Sequence, residues 1–436
     1  MRRTTICALV CWSGLTGHSW AQLGDPDLTA PPLTLERANP FETPSREYSA
    51  LPVGPWLVYP SAFFGAVYDD NVNQTRTDRV SGKGVRFIPS VLAQANDGIH
   101  RTTLYGTLDG RGYIDGDSMV SGLVTARAGA SHTYEAMPDL VVGLYGDYTR
   151  QRDVFDGFGV DHGVASLNPT GVGVTPVANP QTYNQFVGSL TVRKNFDYAF
   201  VSLATSAIDI VYDSTNSGPA SVGTVTSPNG AVYTATARAG HWLGTLFYGY
   251  VEGAVDQRRY VTNELNSHGH RTVGGIGSDQ IGLFRGEIYA GYQAEQYDFA
   301  TLGNVGNTVV GGRFYYYPSP IFTLSASVDR SLGASLSQIA PGIQLPIATR
   351  VTSALLQANY SLAQEWSASA RFGYIHSEYV GSPEIDNAWL AGATATYTVW
   401  RNFGLTLDYE FTQKTSNVFA QNFTRNVITL GGSYRY

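Results

Sequence analysis

From Leu57 onward the chain divides into eighteen segments of 10–15 residues, each alternating apolar with small or polar residues, and the joints between them sort by parity. The joints after even-numbered segments are tiny: Ala95–Ile99, Glu135–Pro138, Asp197, Leu243–Gly244, Phe284, Pro318–Pro320, Ala363–Gln364 and Trp400–Asn402. Those after odd-numbered segments are long and polar: 69–81, 113–120, 153–182, 213–229, 260–270, 299–306, 332–348, 379–387 and 414–424. A period of two sends alternate side chains to opposite faces of a strand. A soluble sandwich or propeller has no reason to sort its loops this way. A barrel that crosses a bacterial outer membrane does, with short turns in the periplasm and long loops outside. The expected fold is therefore all-β, a transmembrane antiparallel β-barrel of about eighteen strands, with sixteen as the alternative count.

Composition fits. Charged residues are only 14 %, against about a quarter in an ordinary soluble protein. No run of 18 apolar residues follows the N-terminus, which excludes a helical membrane protein. The net charge of −7 gives no basic footprint for nucleic acid.

The ends agree with the barrel. The last strand, Arg425–Tyr436, sets Tyr436, Tyr434, Gly432, Leu430 and Ile428 on one face and Arg435, Ser433, Gly431, Thr429 and Arg425 on the other. An alternating terminal strand that finishes on an aromatic is the usual assembly signal of such barrels, so Tyr434 and Tyr436 are assigned that role, with the barrel-assembly machinery as partner. Met1-Arg2-Arg3, the apolar Ile6–Leu15 and Ser19-Trp20-Ala21 read as an export leader over 1–21, cleaved after Ala21. Both cysteines, Cys7 and Cys11, lie inside it. Residues 22–56 carry seven of the twenty prolines and no alternation, and are expected as an extended or disordered periplasmic segment before the barrel, 57–436, either a plain tether or a plug or partner-docking segment.

Alternation also assigns faces. In 403–413, Phe403, Leu405, Leu407, Tyr409 and Phe411 should meet lipid, and Asp408 and Glu410 the lumen. Arg285, Glu287, Gln293 and Glu295 share a face opposite Ile288 and Tyr292. Arg or Lys at the lipid midplane costs ~2–4 kcal/mol, so these charges should point inward, with Arg371 and Arg425. The longest loop, 153–182, is the third outer loop by count. Folded inward, it would set Asp153, Asp156 and Asp161 against Arg150, Arg152 or wall arginines across a constriction; an external loop is the alternative. Trp242, Trp366, Trp400, Phe196, Phe403 and Tyr315–Tyr317 are expected as a periplasmic aromatic girdle.

The stretch 44–73 carries a more specific pattern: Pro44-Ser-Arg-Glu-Tyr48, then Tyr59-Pro-Ser61, then Tyr68-Asp69-Asp70-Asn71-Val72 at the strand end. This order resembles the outer-membrane β-barrel porin type 2 family of proteobacteria. The resemblance implies an outer-membrane barrel without catalytic residues, some relatives of which accompany exopolysaccharide production.

Other constellations are weak. Asp69-Asp70-Asn71 could bind a cation, but Asp and Asn also end strands. His268-Gly-His270 offers two imidazoles where metal sites need three or four ligands. Ser131-His132 has no acid partner in view. No phosphate loop, zinc spacing or nucleophile elbow occurs. No enzyme, cofactor or metal is therefore expected.

Three functions remain open at this stage. The first is a porin-like channel for small polar solutes. The second is an exopolysaccharide export or accessory barrel with periplasmic secretion partners, favoured by inward Tyr248, Tyr250 and Tyr289. The third is a non-conducting barrel. The lipid and lipopolysaccharide of the outer membrane would surround all three.

Overall fold

The computed structural model describes residues 50–436 apart from 115–122, 153–157, 160–165, 168–181, 214–228, 262–265, 300–302, 320, 335–347, 362–364 and 418–421. Eighteen strands form the wall: β1 Trp56–Asp69, β2 Gly82–Asn96, β3 His100–Tyr113, β4 Leu123–Met137, β5 Leu140–Arg152, β6 Thr182–Asn195, β7 Ala199–Tyr212, β8 Gly230–Leu243 and β9 Phe247–Tyr260. The second half comprises β10 Ser267–Ile281, β11 Phe284–Tyr297, β12 Asn304–Ser319, β13 Phe322–Ala334, β14 Ala348–Ser361, β15 Trp366–Val380, β16 Ile385–Trp400, β17 Phe403–Ser416 and β18 Phe423–Arg435. Each pairs antiparallel with the next, and β18 returns to β1 through Ser61↔Arg435 to Asp69↔Val427. The barrel is closed, so no sheet edge is left to the membrane.

At 13–16 residues each, the strands exceed the roughly 9–11 that a tilted membrane crossing needs. Loop parity is as the sequence reading has it. Gly98, Gly244 and Gly282 take positive φ of 91°, 86° and 60° in three of the short turns, a region that costs glycine no Cβ clash. The outward face is apolar and exposed, as at Phe64, Leu144, Val251, Ile288, Phe314 and Leu430. In water that band would be an aggregation surface; in a bilayer it is the lipid contact.

Three local features depart from expectation. Leu51–Val53, inside the segment placed before the barrel, forms a short strand that turns at Gly54 and pairs with Trp56–Val58. The aromatic girdle is built of outward cross-strand pairs: Trp366 with Tyr397, ring centroids 4.7 Å apart, Phe284 with Tyr316 at 4.5 Å, and Phe322 with Tyr360 at 6.1 Å. Trp242, Tyr315 and Tyr317 do not belong to it. Their parity turns them into the lumen, where Trp242 packs edge-on against Tyr248 at 5.1 Å and Tyr315 stacks on Tyr317.

The third departure is a seam. The β12–β13 ladder stops at Val310↔Arg330, although β12 stays paired to β11 out to Asn304 and β13 to β14 out to Ala334. The outer end of β13 is held instead by a side chain from β11. The Gln293 carboxamide accepts from Leu332 N–H at 3.0 Å and donates to Leu332 C=O at 3.3 Å, in place of a ladder rung.

Candidate functional site: the inner wall of the barrel

Parity places many of the charged residues of the strands on the inner face, and strand register pairs them. On β15–β18 and β1, Arg371 Nη2 lies 2.6 Å from Glu410 and 3.5 Å from Asp408, and Lys414 meets Asp386 at 2.9 Å. Arg425 lies 2.6 Å from Asp69. On β2–β5, Arg86 meets Asp109 at 2.6 Å and Arg127 meets Asp147 at 2.8 Å, the latter carboxylate also taking the Tyr105 hydroxyl. On β8–β11, Arg238 spans Glu252 at 2.7 Å and Glu287 at 3.4 Å, with Arg271 on the other oxygen of Glu252 at 3.3 Å. Arg258 spans Asp256 at 3.0 Å and Glu295 at 3.2 Å. Most of these pairs join residues on different strands, which only the register brings together.

Inward aromatics follow a second rule. Phe200, Tyr248, Tyr250 and Tyr289 each stand opposite a glycine of the next strand: Gly240, Gly277, Gly275 and Gly311. A Cβ on any of these glycines would lie 2.3–2.5 Å from the ring. The rings therefore lie flat on the wall, where a larger residue would lift them off. Arginines cover the other face of three: Arg193 over Phe200 at 4.4 Å, Arg238 over Tyr250 at 4.1 Å and Arg271 over Tyr289 at 5.4 Å. Tyr248, Tyr250 and Tyr289 do share the inner face with Glu252 and Glu287. The faces of Tyr250 and Tyr289 that would stack on a sugar are occupied by glycine on one side and guanidinium on the other.

The expected lumen residues Glu287, Glu295, Arg371, Asp408, Glu410 and Arg425 all lie on the inner wall. Arg150 does not. It shares the outward face with exposed Leu144 and pairs beyond the strand ends with Asp213 at 2.5 Å, holding that carboxyl below its ordinary range. Continuing the alternation Leu144, Gly146, Tyr148 would have put it there. Arg152 closes β5 opposite Thr182, but its side chain, with Asp153, Asp156 and Asp161, lies outside the described residues. Of the third outer loop only a two-stranded ribbon, Phe158–Gly159 with Ser166–Leu167, is described.

The strand-end motif works as a clasp. Asp69 takes Arg425 and the Tyr113 hydroxyl at 3.1 Å, and Asn71 N–H bonds back to Asp69 at 3.0 Å. The Asn71 carboxamide donates to Thr75 and Thr424 carbonyls, while Asp70 accepts from Asn426 N–H at 2.6 Å. Tyr68 faces outward. These carboxylates are engaged in joining β1 to β18, which accounts for them without a cation. Among the described residues no three His, Cys, Asp or Glu side chains are grouped to hold a metal. Ser131 and His132 sit on opposite faces, His132 bonding the Thr102 hydroxyl at 2.8 Å.

The whole is a closed eighteen-strand barrel with a lipid-facing apolar band and an ion-paired inner wall. Residues 46–436 match the family described as Putative beta-barrel porin 2. The chain belongs to that family. It is thus an outer-membrane β-barrel of the porin-like kind. No curated protein matches the chain. Solved structures similar to it include the siderophore receptor PirA from Acinetobacter baumannii, 8 % identical over 87 % of this chain and 80 % of that one, with a TM-score of 0.45. A point mutant of the ferric enterobactin receptor PfeA from Pseudomonas aeruginosa is 8 % identical over 86 % and 80 %, TM-score 0.42. The copper transporter OprC is 8 % identical over 89 % and 81 %, TM-score 0.43. At that distance they bear on no question of cargo.

Proposed function

We propose that this barrel is a passive channel through which small polar solutes cross the outer membrane, the chain being exported by its N-terminal leader and cleaved after Ala21. The observation that carries the reading is the belt of ion pairs on the inner wall. An ion buried without water or full pairing costs several kcal/mol. A wall that instead presents partly accessible shared charges, such as Asp109 between Arg86 and Arg111 or Arg371 between Asp408 and Glu410, is suited to water and ions. Eighteen strands leave room for such a lumen. The flat, covered rings of Tyr250 and Tyr289 weigh against an export barrel that stacks sugars on those two residues.

Single-channel conductance of the refolded protein from Gln22, compared with a variant lacking 156–180, tests the proposal. Steady steps in the intact protein are expected. Silence relieved by the deletion would point to a gated barrel. Silence in both, with normal heat-modifiable migration, would leave a non-conducting one.

A further inference from the structure

Toward their outer ends the strands carry three outward arginine–carboxylate sites, and one differs from the others in its charge balance. Arg150 has its own carboxylate, Asp213, at 2.5 Å, and Arg259 has Asp298 at 2.8 Å. Arg330 and Arg350, on neighbouring β13 and β14, share a single carboxylate on β15. Glu378 lies 3.7 Å from one and 3.9 Å from the other, beyond hydrogen-bond distance, and it also takes His376 at 3.3 Å. Each arginine side chain is about a third exposed.

The seam between β12 and β13 explains their posture. Arg330 donates through Nε to the Asn307 side chain and Arg350 through Nη2 to the Gly306 carbonyl, both at 3.3 Å. Both receiving groups lie on the stretch of β12 that has no β13 partner. One edge of each fork is thereby fixed, and no other acceptor within hydrogen-bond distance is found among the described residues.

Height selects the ligand. Val328, exposed to lipid, is the next outward residue below Arg330 on β13, a step of roughly 7 Å along the strand. Leu332 and Ala348, next out on the same faces, are buried against Tyr297 and Val305, so the two guanidiniums sit at the mouth of the seam, just above the lipid-exposed Val328. We infer that Arg330 and Arg350 together seat a phosphate of the outer-leaflet glycolipid, lipopolysaccharide, with the unzipped β12–β13 seam as the notch that positions them. Paired guanidiniums match phosphate oxygens in fork geometry, and the site's one carboxylate leaves a net positive charge. The assignment rests on the barrel's outer-membrane placement and is independent of whether it conducts.

The test titrates the folded, detergent-solubilised protein with lipid A and with chemically dephosphorylated lipid A, scoring bound lipid by native mass spectrometry. Removing two charge-assisted contacts should weaken lipid A binding about tenfold or more in Arg330→Gln/Arg350→Gln, while Arg150→Gln leaves it unchanged. Glu378→Gln, which keeps both arginines, should tighten it, so a fold defect in the double variant would not hide the result. Dephosphorylated lipid A should bind every variant equally weakly. Equal lipid A affinity in wild type and the double variant would overturn the inference. So would full displacement by millimolar inorganic phosphate, which would mean a free-anion site instead of a lipid one.

Discussion

Arg425 on the last strand lays its guanidinium on the carboxylate of Asp69 on the first, Nη2 to Oδ2 at 2.6 Å and Nε to the same oxygen at 2.9 Å, across 356 residues of chain. Both side chains are buried, and the Tyr113 hydroxyl completes the carboxylate's shell. The pair sits where the barrel closes, next to the last register match of that seam, Asp69↔Val427. Sequence ends become one wall there.

Removing one partner of a buried ion pair costs about 3–5 kcal/mol, because the other charge is left behind. Asp69→Asn should therefore lower the midpoint of heat-modifiable unfolding markedly. Asp69→Arg with Arg425→Asp should recover part of the loss. An unchanged midpoint in the single variant would mean that closure rests on the backbone ladder alone.

Arg371 is the cation set against Asp408 and Glu410 on the inner wall. In a conducting barrel, Arg371→Gln removes the guanidinium beside two carboxylates and makes this part of the wall more negative. The reversal potential in a salt gradient should move toward the cation's equilibrium value. Conduction with an unmoved reversal potential would place these residues off the solute path.

Gly275 makes room for the Tyr250 ring, since a Cβ there would lie 2.5 Å from its Cζ. Gly275→Val should push the ring into the lumen and cost roughly 1–3 kcal/mol of overpacking. Unit conductance should fall, and Gly275→Val/Tyr250→Ala should restore it. A conductance equal to wild type in the single variant would show that this part of the wall does not bound the path.

Asp97 in the first short turn accepts from His100 N–H at 2.6 Å and Ile99 N–H at 3.0 Å, and these two amides hold its carboxyl below its ordinary 3.8. A depressed carboxyl contributes order above its unfolded value and loses it as pH falls through the folded one. Amide exchange at Ile99 and His100 should therefore quicken only below about pH 4, on the carboxylate reference value. Asp97→Asn, which keeps an acceptor, should remove that acid step. An unchanged step would assign it to another group.

Much was legible from the residues alone. Alternation needs only a period of two, so it gave eighteen segments, their loop parity and the inward faces of Glu287, Glu295, Asp408 and Glu410. Arg150 and Trp242 were also readable, by extending the alternation of their own strands, and a sorting by residue type misplaced both. Tyr315 and Tyr317 went the same way.

Which inward charge meets which was not legible. Arg238 finds Glu252 and Glu287, and Arg258 finds Glu295, because register aligns strands whose local sequences do not refer to each other. A one-residue slip would turn every such side chain to the lipid. The glycine opposite each of Phe200, Tyr248, Tyr250 and Tyr289 has the same origin. So has the seam, where β13 leaves β12 and takes the Gln293 carboxamide in its place. Local sequence determined the strands and their two faces, since that depends on neighbours along the chain. Closure decided the partners, because a ring of eighteen strands must satisfy all its registers at once.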